Sequence, residues 1–177
     1  MRAALFIDRD GTINKLNGYI KRPEDLHVMK QAKKAIQLAK DFGFRVIVIT
    51  NQPGIAQGRI TVEQMELLNA HLAMELDFNI DMVYYCPHHP ERGWPGELPE
   101  LKIQCDCRKP LPGMILKAAA DNHIDLAYSW MIGDSECDMV AGEQAGCNVM
   151  RVMKGRNLLQ CVNLIIKEIE NARRIRR

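Results

Sequence analysis

No stretch of the 177-residue sequence approaches the ~20 consecutive apolar residues of a membrane-spanning helix. The apolar run Ala3-Ala4-Leu5-Phe6-Ile7 stops at once on Asp8 and Arg9, too short for the core of a secretory leader. Charge imbalance is almost absent: 24 Lys and Arg against 22 Asp and Glu leave a formal +2, which argues against a polyanion-binding groove. The one basic cluster, Arg173, Arg174, Arg176 and Arg177, reads as a solvated helix end whose cations complement the helix dipole. Repeats, low-complexity tracts and linkers are missing too. A soluble, cytoplasmic protein with one domain over 1–177 is therefore expected, engaging neither nucleic acid nor membrane. A domain this long buries roughly 70% of its unfolded surface and needs no covalent staple. In a reducing compartment the six cysteines are not a disulfide set: clustered ones suggest metal, scattered ones core.

Apolar runs bounded by turn residues alternate with segments of helical period, the pattern of an α/β, Rossmann-like parallel sheet with helices on both faces. The strands expected are Ala3 to Ile7, Arg45 to Thr50, Met82 to Tyr85, Ser129 to Ile132 and Asn148 to Val152. Helices are expected over Gln31 to Phe42 with Gly43 as C-cap, from a Thr61-Val62-Glu63-Gln64 capping box, near Pro112 to Asn122, over Asp138 to Ala145 and over Leu158 to Ala172. Ligands in such sheets bind outside the carboxyl ends of the strands. Four polar clusters fall there: Asp8/Asp10, Thr50-Asn51-Gln52, Arg108-Lys109 and Gly133-Asp134.

Asp8-Arg9-Asp10-Gly11-Thr12 sets two carboxylates where a strand turns, so one can attack phosphorus while the other handles the leaving-group proton. A carboxylate attacking an anionic phosphate needs a cation to quench repulsion, and Mg²⁺ held by Asp8, Asp10 and Asp134 fits, with Asp138 supporting that set. Thr50 offers a hydroxyl and the backbone that follows it offers N–H groups to phosphate oxygens, and Lys109 supplies fixed positive charge as negative charge shifts in the transition state. Any one of these pieces alone is an ordinary turn or cap; their order at successive strand ends is what carries weight.

The segment from Pro87 to Pro112 holds six prolines and no helical or strand pattern. Cys86-Pro87-His88 and Cys105-Asp106-Cys107 give it three thiolates and an imidazole in two tight pairs, a ligand set for closed tetrahedral Zn²⁺. His88 is preferred to His89 because alternate residues of an extended segment point the same way. The zinc-binding loop, 86–107, ends directly on Arg108 and Lys109, so its expected part is to hold those side chains over bound phosphate. Cys137, Cys147 and Cys161 read as packing.

These four motifs resemble those of the haloacid dehalogenase superfamily over nearly the whole chain. The second aspartate, Asp10, is similar to that of its phosphate-ester hydrolases, so the resemblance implies a Mg²⁺-dependent phosphomonoesterase working through an aspartyl-phosphate on Asp8. A closer likeness lies in Asp8-Arg9-Asp10-Gly11-Thr12-Ile13-Asn14, Gly18-Tyr19, Thr50-Asn51-Gln52-Pro53-Gly54-Ile55-Ala56-Gln57-Gly58, Cys86-Pro87-His88-His89-Pro90 and Cys105-Asp106-Cys107-Arg108-Lys109-Pro110. It resembles the bacterial D-glycero-D-manno-heptose 1,7-bisphosphate 7-phosphatases, relatives of the histidinol-phosphate phosphatases that share the zinc loop. The likeness implies a monomer hydrolysing a sugar phosphate, with Leu16, Asn17, Gly18, Tyr19, Thr50, Asn51, Gln52, Pro53, Arg108, Lys109 and Ser135 against substrate. Ser135 stands where the heptose pattern has lysine, and Tyr19 reads equally as a loop-packing residue. Arg108 suits a second phosphate or, as a surface arginine, a pair with Asp106 or Glu100. Short connections imply no large cap domain. The rival readings are a histidinol-phosphate phosphatase, which needs an imidazole pocket, and a zinc-stabilised binding module without turnover, which has no use for the full catalytic set.

Overall fold

The computed structural model describes residues 2–16 and 18–175. Five strands form one parallel sheet: β1 (Ala4–Ile7), β2 (Arg45–Asn51), β3 (Met82–Cys86), β4 (Trp130–Gly133) and β5 (Asn148–Arg151), in the order β3-β2-β1-β4-β5. Five helices connect and cover them: α1 (Ala32–Phe42), α2 (Val62–Glu75), α3 (Gly113–Asn122), α4 (Glu136–Ala145) and α5 (Leu158–Ile175). Every element expected from the sequence is present. Ends move by a residue or two, and α5 runs three residues past Ala172. No helix among the described residues is long and apolar enough to cross a membrane.

Alternation along the strands separates two cores. Leu5, Ile7, Val46, Val48, Trp130 and Ile132 pack with α1, α2 and α5; Ala4, Phe6, Ile47, Ile49 and Met131 pack with α3 and α4. A strand buried on both faces reads as an unbroken apolar run, which is why β1 and β2 are legible. At the end of α1, Gly43 takes φ +100 and its N–H returns to the Ala39 and Lys40 carbonyls. Thr61 and Gln64 exchange the two bonds of a capping box at the start of α2.

Just before β3, Asp81 ties three elements together. Its carboxylate accepts from Lys40 on α1 at 2.7 Å and from the Val46 N–H at 2.8 Å, and pairs with Arg45. Burial pushes this carboxyl up, but the bonds from Lys40, Val46 and Arg45 outweigh it and leave it below its ordinary value. A depressed folded-state pKa contributes stability above the unfolded value of about 3.9 and loses it as pH falls through the folded value. Asp81→Asn is expected to lower the unfolding free energy by about 2 kcal/mol at pH 7. Urea titrations of both proteins should find that gap closing below about pH 4; a gap constant with pH would refute the ionic account.

Candidate active site

All four polar clusters meet at the carboxyl edge of the sheet. Asp8 follows β1, and its N–H donates to the Ile132 carbonyl of β4 at 2.9 Å, which fixes the turn against the neighbouring strand. Gly11 closes the turn at φ +91; a Cβ there would stand 2.3 Å from Asp134 Oδ2, so the close approach of residue 11 to that carboxylate requires glycine. Gly133 answers the same need after β4, since its Cβ would strike Asp138.

Asp8, Asp134 and Asp138 bring carboxylate oxygens within 4.8 Å of one another. Lys109 Nζ lies among them: it donates to Asp8 Oδ1 at 2.6 Å and to the Ile49 carbonyl at 2.8 Å, and pairs with Asp138. Burial pushes the Asp8 carboxyl up to about 7 against the pull of Lys109, with Asp138 and Asp10 adding repulsion. Burial and the charge of Asp138 raise Asp134 as well. Burial disfavours the Lys109 ammonium, but the facing carboxylates Asp8 and Asp138 raise it on balance and keep it charged. One ammonium among three packed carboxylates leaves excess negative charge, a donor set of hard oxygens that suits a small divalent cation.

The Asp10 carboxylate, expected among the magnesium ligands, lies outside this side-chain cluster. It turns away and accepts from Gln52 Nε2 at 2.7 Å, Asn14 Nδ2 at 2.8 Å and Arg9 Nη2 at 2.9 Å. Burial raises the Asp10 carboxyl, but the Arg9 charge and the bonds from Arg9, Asn14 and Gln52 prevail and hold it low. Asp138, expected to support the metal set, is the inner partner of Lys109 and belongs to the carboxylate cluster itself.

Three further residues expected against substrate have their side chains committed to the protein. Asn51 is a two-way clamp: its amide donates to the Lys109 carbonyl and its oxygen accepts the Lys109 N–H, both at 3.0 Å. Gln52 joins Asp10 to the buried Thr50 hydroxyl, which accepts at 2.9 Å. The hydroxyl and N–H of Ser135 both donate to Asp138 at the start of α4. Short polar residues after a strand satisfy the neighbouring backbone before they reach a ligand. Pro53 lies half-buried in the turn after β2; its carbonyl accepts from the Gln57 N–H. Leu16 and Gly18 are exposed at the rim, and Asn17 lies outside the described residues. Tyr19 leans on Gly54, donates to Gln57 Oε1 at 2.7 Å and carries the Arg59 guanidinium 4.6 Å above its ring.

Beside this edge, Cys86, His88, Cys105 and Cys107 converge. Their sulfurs are 3.2 to 3.6 Å apart, and His88 Nδ1 is 3.2 Å from Cys107 Sγ. Four ligands of a tetrahedral zinc bring sulfurs to about 3.8 Å, so the cluster is close to ligand geometry. Burial pushes the Cys86 thiol up to about 11 and, with the neighbouring thiols, raises Cys107 further; a bound cation is what would hold such groups as thiolates. His89 turns aside, its ring edge-on to Trp94 at 5.1 Å. The loop also has a small core absent from the sequence reading: Trp94 lies between His89 and the Lys102 ammonium, 4.1 Å above its ring. Among the described residues Arg108 forms no ion pair with Asp106 or Glu100; its Nη1 is buried without a partner, and with Lys109, Asp106, Gln104 and Pro90 it lines an open cavity of about 570 Å³.

Sequence reasoning passed over Arg9 and Asn14, although both stand inside the motif running from Asp8 to Asn14, because neighbours in a turn do not reveal which side chain turns inward.

The Hydrolase_like family model, described as HAD-hydrolase-like, matches residues 106–163. The chain is 40% identical over 172 residues to D-glycero-beta-D-manno-heptose-1,7-bisphosphate 7-phosphatase of Escherichia coli K12, spanning 96% of this chain and 85% of that protein. It is 42% identical over 146 residues to the protein of that name from Helicobacter pylori, covering 80% and 78%. Among solved structures it is similar to a D,D-heptose 1,7-bisphosphate phosphatase from B. bronchiseptica complexed with magnesium and phosphate (TM-score 0.79, 26% identity, 95% of this chain and 99% of that one). A putative HAD-like phosphatase from Mesorhizobium loti is comparably near (TM-score 0.78, 31% identity, 93% and 87%).

Proposed function

We propose, for a chain that belongs to the heptose 1,7-bisphosphate 7-phosphatase family of haloacid dehalogenase-like hydrolases, that it removes the 7-phosphate of D-glycero-β-D-manno-heptose 1,7-bisphosphate. The observation that carries this is the separation of Asp8, locked to Lys109, from Asp10, held by Gln52, Asn14 and Arg9: two adjacent carboxylates in two environments have two roles.

Asp8 Oδ1 is occupied by Lys109, and no hydrogen bond among the described residues engages Oδ2, the oxygen left to attack phosphorus. As the P–O7 bond breaks, Asp10 gives its proton to the departing sugar oxygen, leaving phosphate esterified to Asp8. The doubly charged phosphate entering beside Asp10 raises that carboxyl's affinity for the proton it donates. Water then attacks the phosphorus, Asp10 takes up a proton from it, and the P–Oδ bond breaks to return the Asp8 carboxylate and free phosphate. Lys109 and the Thr50 hydroxyl hold the transferring oxygens. Mg²⁺ is the cation that suits the Asp8 and Asp134 carboxylates, with Asp138 beside them held by Lys109 and Ser135, and when bound it would neutralise charge on the transferring phosphate. Zn²⁺ suits the Cys86, His88, Cys105 and Cys107 set, with a structural part. Arg108, with a buried and unpartnered Nη1 at the cavity wall, is suited to the distal phosphate.

The test is phosphate release in Mg²⁺ from heptose 1,7-bisphosphate and histidinol phosphate side by side. A kcat/KM on the order of 100-fold higher for the bisphosphate is expected; preference for histidinol phosphate would keep the mechanism and refute the substrate.

A further inference from the structure

Arg9 is the largest fully buried side chain among the described residues. A buried guanidinium has five donors and no acceptor, so its surroundings must supply both counter-charge and oxygen atoms. Asp10 supplies the charge: Arg9 Nη2 lies 2.9 Å from Asp10 Oδ2 and Nε 3.3 Å from both carboxylate oxygens. The far edge of the same plane reaches α2, where Nη1 stands 3.4 Å from Asn69 Oδ1 and 3.3 Å from Met65 Sδ.

Asn69 is out of place by every local criterion. It falls on the core face of α2 beside Met65, Leu68 and Leu72, and it is buried. Asparagine is a poor helix former, and a buried amide costs free energy unless it is bonded. Leucine at 69 would extend the apolar stripe and improve both terms. What asparagine adds is an oxygen facing Arg9. Because the guanidinium is rigid and planar, an acceptor at one edge sets the orientation of the fork at the other.

We propose that Asn69 is a positioning residue for the reaction: from α2, where Met65 is the other residue in contact with Nη1, it supplies the oxygen that orients the Arg9 guanidinium and, through it, the Asp10 carboxylate. This rests on Asp10 being the acid and base of the preceding reading. Asn14 and Gln52 hold Asp10 from the β1 and β2 sides; Asn69 completes the support from below.

The consequence is selective for the leaving group. A sugar alkoxide departs only with a proton from a well-placed Asp10, whereas the phenolate of 4-nitrophenyl phosphate departs without one. In Mg²⁺, Asn69→Leu is expected to lower kcat/KM for heptose 1,7-bisphosphate about tenfold while that for 4-nitrophenyl phosphate changes less than about twofold. In an Asp10→Asn background the same change should have no further effect on the bisphosphate. Equal losses on both substrates, or no loss on either, would overturn the proposal, as would a full tenfold effect persisting without Asp10. If Asn69→Leu fails to fold, Asn69→Ala gives the same comparison. Asp10→Asn alone tests the underlying reading: if it too lacks leaving-group selectivity, the assignment of Asp10 fails; if it is selective and Asn69→Leu is not, only the positioning role fails.

Discussion

Asp8→Asn is expected to release no phosphate from the bisphosphate, with kcat lower by on the order of 10⁴-fold or more, while the protein stays folded. The loss follows from chemistry: an amide oxygen does not form the phosphoryl ester, and nothing else at the edge of the sheet stands where Asp8 does. The retained stability follows from electrostatics. In the metal-free protein Asp8 is buried beside Asp134 and Asp138, with one ammonium among the three. Burial has already pushed its carboxyl up to about 7, a mark of how poorly the charge is tolerated there. Exchanging it for a neutral isostere relieves that repulsion and leaves Lys109 its second partner, Asp138. Thermal unfolding without metal should therefore give a Tm equal to or above that of the parent protein, the pattern of a residue kept for reaction rather than for stability. Residual turnover within about tenfold of the parent would remove Asp8 from the mechanism. A collapsed Tm would make it a structural residue.

Zinc removal should have the second-largest effect. Lys109 Nζ reaches Asp8 from the end of the loop that Cys105 and Cys107 anchor, four and two residues upstream. Loss of the anchor releases Arg108 and Lys109 from one side only, because Asn51 still clamps the Lys109 backbone to β2 and the Gly113 N–H still holds the Asp106 carbonyl. The outcome expected is therefore displacement rather than unfolding. A misplacement of about 1 Å costs on the order of 100-fold in rate. Chelation followed by dialysis into Mg²⁺ should lower kcat/KM by about that factor, with recovery on adding Zn²⁺, and Cys107→Ser should reproduce the loss without recovery. Trp94, packed between Lys102 and His89 in the same loop, supplies a fluorescence signal for the event. Full activity after metal analysis has found the zinc gone would refute any functional part for the loop.

What the sequence made legible and what it did not divide along a physical line. Strands buried on both faces announce themselves as apolar runs, and carboxylates placed just beyond them are carried to one edge by parallel topology alone, so Asp8, Thr50, Lys109 and Asp134 could be assembled from order. The Cys-x-His and Cys-x-Cys pairs are similarly readable, since two-residue spacing in extended chain fixes direction. Orientation within a turn is different. Asn51, Gln52 and Ser135 sit where substrate contacts were expected, yet their side chains close on Lys109, Asp10 and Asp138, because short polar groups bond to whatever donor or acceptor lies nearest. The Asp10 carboxylate is engaged in the same way, by three donors from Arg9, Asn14 and Gln52. The one outward sign of this inner network was Asn69, a polar residue interrupting the apolar stripe of α2.

The strand order has a consequence for the making of the protein. β1 precedes the other four strands along the chain and lies at the centre of the sheet, but its neighbour β4 is complete only at Gly133. Asp8 thus leaves the ribosome more than a hundred residues ahead of the strand that supports its turn, and Asp134 and Asp138 follow later still. Contacts so distant along the chain make folding slow and leave apolar strand edges open meanwhile. A nascent chain halted before β4 leaves one edge of β1, a strand buried on both faces, available to neighbouring chains or chaperones.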